Sequence, residues 1–292
     1  MLGGVRRLTH ILQARLIEMS IELTYFIQFR KFRLPPGPHE IVVSMTSYPD
    51  RIRNSWLALE SLFRQDDRNF SMVLVLCRSQ FPNGKLPLMI RLQARKGLTV
   101  LWVDTDNRSF DHLWPAYRAF PEKSVISVDD DKHFPPMLVG TLRQYSLEFP
   151  GAIIGSRGWQ MRLSEGGIEF GPGWRRANSD TVSDDLFMPP GNGSLYPPGS
   201  LPDLTGDIVL MEEICPIADD VWYWAMAKLS GTESVCAGMP AHRPVMRQSG
   251  TPALSHHDPG PRDFRKTVDH FGFREMLTRT LTSDRPADSS PG

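Results

Sequence analysis

Between residues 41 and 128 a short apolar run recurs four times, and polar-apolar stretches with apolar residues three or four apart fill the intervals. The runs at 41–45, 72–76, 99–103 and 125–128 have the length and β-branched content of buried strands. The intervals predict helices over 54–65, 86–96 and 112–120. In the first of these Trp56, Leu59, Leu62 and Phe63 share a face, and Gly97 stands where a left-handed cap ends the second. Strand and helix alternating with short connections predict an α/β fold, a mostly parallel central sheet with helices on both faces. A further helix is expected from Pro136 to about residue 148, and a fifth strand over 152–155.

The alternation then stops. Residues 156–206 are rich in glycine and proline around Trp159, Trp174, Phe187 and Tyr196, and they predict a long ordered loop region of the kind that carries function. Helix returns over 219–229, with Val221, Trp222, Ala225 and Met226 on its apolar side, and a polar, disordered tail is expected over 283–292. Ahead of the first strand, Ile11, Leu12, Leu16, Met19, Leu23 and Phe26 mark one face of an amphipathic helix within residues 1–35. Arg6, Arg7, Arg15, Arg30, Lys31 and Arg33 surround that face, and a proline-rich linker follows at 34–39. Residues 36–282 then form the main domain. Two uses suit the helix: attachment to an anionic membrane surface through residues 6–33, or packing on the domain or a partner chain, which the sequence favours.

Composition removes several classes of function. The 292 residues suffice for a substantial core. The 33 acidic and 33 basic residues balance, so no global field favours nucleic acid. Cys77, Cys215 and Cys236 have no CxxC spacing; they suit a reducing compartment and a role as small buried hydrophobes better than a disulfide framework or a structural zinc site. The charges Arg15, Glu18 and Glu22 argue against a membrane span at 8–29, and no small-residue cleavage site suggests a secretory signal.

Candidate chemistry lies at the ends of the predicted strands. Asp129-Asp130-Asp131 follows the fourth strand and precedes Phe134-Pro135-Pro136, which turns the chain. Three carboxylates at the carboxyl end of a buried strand lie where open α/β sheets bind ligands, and a cation makes their repulsion tolerable. Hard oxygens from one or two side chains suit Mg²⁺ or Mn²⁺ shared with a diphosphate; a solvated acidic turn is the plainer reading. After the first strand, Thr46-Ser47-Tyr48-Pro49-Asp50-Arg51 offers hydroxyls, amides and a guanidinium for a nucleotide, or an ordinary helix-capping turn. Asp104 and Asp106 after the third strand are candidates for base or ribose contact, and equally for helix capping. Gly191-Asn192-Gly193-Ser194 and the following Leu-Tyr-Pro-Pro-Gly199 form a glycine loop whose amides can approach a sugar or phosphate closely. Asp219 and Asp220 open a helix that needs one of them as a cap, leaving the other free.

In this order the motifs resemble glycosyltransferases of the GT-A fold, in particular bacterial enzymes with the pattern SxTSYPxR, VDDD, LYPPG and ADDxW. The resemblance spans roughly residues 40 to 260. It implies a sugar-nucleotide donor, a glycan or glycolipid acceptor, a role in surface polysaccharide or glycolipid synthesis, and a cytoplasmic enzyme that can sit peripherally at the inner face of the plasma membrane. It implies that Asp129-Asp130-Asp131 is the DxD motif, with Asp129 on ribose or metal and Asp131 holding Mn²⁺ or Mg²⁺. It further implies that Gly191 to Tyr196 lie near the donor sugar, and that Asp219-Asp220 match the xED motif, Asp219 standing for its glutamate with a shorter reach and Asp220 as the base of an inverting reaction. His256 or His257 is the implied metal-binding histidine, with His242 and His270 as neighbours in sequence. Trp159, Trp174 and Trp222 are available for stacking on sugars, although core is the better reading for Trp222. Two competitors remain. A metal-dependent nucleotidyltransferase normally carries a basic glycine-rich loop near its amino terminus, and residues 46–51 contain no glycine. A non-catalytic carbohydrate-binding protein on the same fold would gain nothing from so many unpaired carboxylates.

Overall fold

The structure is a computed structural model describing residues 2–164, 167–168, 171, 173–248 and 260–277. Four predicted strands are present as β1 (Ile41–Thr46), β2 (Ser71–Cys77), β3 (Leu98–Val103) and β4 (Ser124–Val128). Three more helices join α1 (Leu2–Thr24) in this half: α2 (Ile52–Phe63), α3 (Leu88–Ala94) and α4 (Trp114–Ala119). Where one helix was expected over 112–120 there are two pieces, a 3₁₀ turn at Arg108–His112 and then α4 with a proline in its first turn. Proline in a first turn is tolerated because that amide has no intrahelical partner. Beyond β4 come α5 (Leu138–Glu148), β5 (Ile153–Gly155), β6 (Thr181–Val182), β7 (Asn192–Tyr196), α6 (Ile208–Ile214), α7 (Asp219–Leu229), β8 (Ser234–Cys236) and α8 (Gly260–His270).

The large sheet has the order β6-β8-β5-β7-β4-β1-β2-β3. Strands β1, β2, β3 and β4 run parallel, β5 and β8 are parallel to each other, and β7 is antiparallel to both of its neighbours. Period-two alternation divides the core. Val43, Met45, Leu74, Leu76 and Ile126 face α2 and α5, whereas Val42, Val73, Val75 and Val125 face the side covered by α7 and α8. Both faces are therefore covered, as the alternating pattern predicts.

Two findings depart from the sequence reading. The expected glycine loop at 191–196 is largely a strand, β7, seated between β4 and β5 with all five residues buried. Its polar residues do not alternate with apolar ones because both faces are enclosed, and they are satisfied instead: Ser194 Oγ donates to the Pro189 carbonyl (3.1 Å) and Asn192 Oδ1 accepts from Lys132 (2.6 Å). The second departure is in α1. It packs through Ala14, Glu18 and Ile21, continued by Tyr25, while Leu12, Leu16, Met19, Leu23 and Phe26 of the expected face remain exposed. The expected tail at 283–292 lies outside the described residues.

Below α1 sits a buried ion pair. Lys96 Nζ is 2.5 Å from Glu60 Oε2, both side chains are almost wholly buried, and Arg64 holds the other Glu60 oxygen at 3.1 Å. The ammonium also lies 4.4 Å from the Phe63 ring centroid and 5.1 Å from that of Tyr25. Removing one member strands a buried charge. Lys96→Met is expected to lower stability to urea by about 3 kcal/mol, and adding Glu60→Gln to recover part of that loss; equal unfolding midpoints for wild type and the single variant would show that the pair is energetically neutral.

Candidate functional site

β4 delivers Asp129, Asp130 and Asp131 to the carboxyl edge of the sheet, where its parallel partner β1 delivers Thr46, Ser47 and the turn to Arg51. The three carboxylates divide. Asp130 points inward and is buried: Oδ2 accepts from Ser47 Oγ (2.5 Å) and Ser55 Oγ (2.9 Å), and Oδ1 is 3.0 Å from Arg51 Nη2. Burial pushes its pKa up to about 6 against the pull of Arg51. Asp131 Oδ2 lies 2.8 Å from the same guanidinium nitrogen, while its Oδ1 is buried without a hydrogen-bond partner.

Asp129 turns the other way. Lys132 Nζ bridges Asp129 Oδ2 (2.6 Å) and Asn192 Oδ1 (2.6 Å). Burial alone would raise the Asp129 pKa, but the Lys132 ammonium and His112 outweigh it and hold the carboxyl well below its ordinary range. Gly191 is required beside it. A Cβ there would fall 1.9 Å from Asp129 Oδ1, and the Gly191 carbonyl accepts the Asp129 amide at 2.9 Å.

His112 links this carboxylate to a distant segment. Its Nδ1 is 3.8 Å from Asp129 Oδ1 and its Nε2 is 3.3 Å from Asp219 Oδ2. Asp219 Oδ1 also accepts from Ser109 Oγ at 2.8 Å. Tyr223 of α7 stacks on the imidazole with ring centroids 5.7 Å apart, and its hydroxyl donates to the Phe110 carbonyl (2.7 Å), so α7 fixes the 3₁₀ turn that carries Ser109 and His112. Burial lowers the His112 pKa, but the surrounding aspartates raise it further than burial depresses it. Asp219 is raised by burial against the opposing pull of His112. Asp220 is pushed up to about 8, first by burial and then by the charges of Asp219 and Asp129. Asp129, Lys132, Asp219 and Asp220 all keep part of their surface open to solvent, so this edge is accessible.

The remaining candidates sit as follows. Thr46 Oγ1 donates to the Val75 carbonyl (3.0 Å), and the Tyr48 ring lies 5.9 Å from the Arg51 guanidinium. Gly193 has φ +85°, a conformation suited to glycine, where the β4–β7 register shifts. Asp104 pairs with Arg78 (3.1 Å) and is largely exposed. Asp106 accepts from Gln80 (2.6 Å) and from the amide of Arg108 (3.0 Å), whose φ of +57° starts the 3₁₀ turn. These two are not among the residues that meet at Asp129. His256 and His257 lie outside the described residues, and His242 Nε2 is bonded to the Asn192 carbonyl at 2.6 Å. Trp222 is wholly buried, and Trp174 packs against Phe187 and Phe264.

Sequence reasoning missed Lys132, His112, Ser109 and Gln248. Lys132 directly follows the aspartate triplet, and this position was its one available signal. Gln248 has none: it accepts from Arg51 Nη2 (2.8 Å) and donates to the Asp130 carbonyl (3.1 Å), partners 197 and 118 positions away.

No family model and no curated protein matches the sequence. Solved structures do match. Mannosyltransferase PcManGT from Pyrobaculum calidifontis, in complex with GDP-Man and Mn²⁺, aligns with a TM-score of 0.50 at 12% identity, over 94% of this chain and 80% of that one. The S. aureus TarS fragment 1–349 in complex with UDP-GlcNAc aligns with a TM-score of 0.42 at 16% identity, over 80% of this chain and 75% of that one. The chain has the GT-A fold.

The raised Asp220 pKa makes stability depend on pH. Between the ordinary carboxyl pKa of 3.8 and about 8 the unfolded chain releases this proton while the folded protein retains it, so stability falls as pH rises through that window. Asp220→Asn removes the effect. The variant is expected to melt higher than wild type, by a margin that grows from pH 4 to 8; a margin constant across this range in thermal scans would contradict the burial of a proton at Asp220.

Proposed function

We propose that the protein is a glycosyltransferase that moves a sugar from a nucleotide-diphosphate donor to an acceptor hydroxyl with inversion. One observation carries the reading: Asp129 and Asp219, from separate segments, lie against opposite nitrogens of one imidazole, with Asp220 beside them. A carboxylate held ionised and a carboxyl held protonated to about pH 8 are thereby brought to one accessible edge of a GT-A sheet. Pairs of titratable groups pushed apart in this way mark acid-base chemistry.

The donor diphosphate approaches the carboxyl end of β4. Lys132 supplies positive charge there, and the Ser47–Arg51 turn contacts the nucleoside. A divalent cation fits the residues present, because Asp131 Oδ1 is a buried oxygen without a partner and Asp129 is ionised. Asp131 and Asp129 would hold Mn²⁺ or Mg²⁺, which when bound would supply charge stabilisation to the leaving diphosphate. The ionised form of Asp220 accepts the proton of the acceptor hydroxyl, and its share grows as pH rises toward and past about 8. Ser109 and His112 orient Asp219, which raises the basicity of Asp220 through repulsion. A glycan or glycolipid acceptor, in surface polysaccharide or glycolipid synthesis at the cytoplasmic face of a membrane, completes the reading.

The deciding experiment measures nucleotide release from a panel of sugar nucleotides with and without Mn²⁺. Asp131→Ala is expected to abolish metal-dependent donor binding. Asp220→Asn should retain donor affinity while turnover falls about 10²–10⁴-fold. Absence of release from every donor, with saccharide binding intact, would favour a binding protein, and pyrophosphate release from nucleoside triphosphates would favour a nucleotidyltransferase.

A further inference from the structure

We propose that α1 seats the protein on an anionic lipid surface through an apolar ridge that the fold leaves uncovered. Leu8, Leu12, Leu16, Met19, Leu23 and Phe26 are 55–73% exposed. At about 100° per residue these positions fall within an arc of roughly 80°. The residues that bind α1 to the domain, Ala14, Glu18, Ile21 and Tyr25, lie on the opposite side of the same cylinder. The ridge is therefore not the solvent edge of a packed face. It is a second apolar face, extended past the helix by Ile27 at 85% exposure. Contiguous exposed apolar surface of this kind marks an interaction site.

The charges beside it select the occupant. Arg15 flanks the ridge and remains half exposed while paired with Glu18, and Arg30, Lys31 and Arg33 follow in the exposed turns. The two acids of the helix are withdrawn: Glu18 is buried, and Glu22 is paired with Arg247. An apolar stripe bordered by cations, its acids neutralised, complements anionic headgroups over acyl chains. A second copy of the chain would instead present the same cations to one another. Among the described residues no helix is long and apolar enough to cross a membrane, so the contact is with the surface.

The same helix rests on the segment that closes the candidate site. Glu18 Oε1 accepts the Arg247 amide (3.2 Å), and Gln13 Oε1 accepts from Arg243 Nε (2.9 Å). In that segment the Val245 amide donates to the Asp131 carbonyl (2.7 Å), and Gln248 holds Arg51 and the Asp130 carbonyl. Through this segment α1 is connected to the aspartate turn, with the apolar ridge on the far side of the helix.

Co-sedimentation with phosphatidylcholine vesicles, with and without phosphatidylglycerol, tests the proposal on the full chain. Wild type is expected to sediment with the anionic vesicles and to remain in solution with the neutral ones. Leu12→Gln/Leu16→Gln/Leu23→Gln keeps helix propensity and should weaken partitioning at least tenfold without changing the melting temperature or nucleotide release in vesicle-free buffer. Arg30→Gln/Lys31→Gln should weaken it about fivefold per charge removed. Wild type left in the supernatant with anionic vesicles would overturn the proposal. So would a dimer in light scattering that the triple leucine variant dissociates, since the ridge would then be covered by a second copy.

Discussion

Crowded carboxylates at the carboxyl end of β4 are the constraint around which the rest of the molecule is arranged. Three neighbouring aspartates are unfavourable unless each receives its own counter-charge or donors, and here the partners come from separate elements. Asp130 takes the guanidinium of Arg51 and the hydroxyls of Ser47 and Ser55, Asp131 shares that guanidinium, and Asp129 takes Lys132 and His112. Satisfying them pins the first turn of α2, the 3₁₀ turn before α4 and the start of β7 to one sheet edge. The same interactions create the chemical asymmetry of the site: Lys132 and His112 hold Asp129 ionised, while burial and the neighbouring carboxylates outweigh both cations at Asp220.

The insertion of β7 matters as much as the parallel half of the sheet. An antiparallel strand between β4 and β5 brings Gly191 and Asn192 back alongside the aspartate turn. The backbone of Gly191 occupies space that any side chain would take from Asp129. Groups beside Asp129 are thereby supplied by a strand rather than a loop, and strands hold geometry more firmly.

Much of this was legible in the chain before folding. Strands β1, β2 and β4 could be read because both of their faces are buried, and the half-buried edge strand β3 because it is still a nearly unbroken apolar run. Helix α7 could be read because its apolar side is broad and its first turn acidic. β7 could not, since Asn192, Gly193 and Ser194 belong to no strand pattern and are buried only because β4 and β5 close on either side. For α1 the periodic leucines were visible, but Ala14, Glu18 and Ile21, the residues that make contact, are small, charged or isolated and form no readable stripe. At the site, the acidic motifs were legible by composition. Lys132, His112 and Gln248 were not, because their roles come from three-dimensional proximity.

The bond between Gln248 and Arg51 joins residues 197 positions apart. Long-range closure of this kind is slow relative to local structure. The side-chain partners of the three aspartates all lie within residues 47–132, whereas Gln248 adds a clamp on Arg51 and the Asp130 carbonyl that only the later chain supplies. The guanidinium that two aspartates share is in this sense fixed late, once Gln248 reaches back to Arg51.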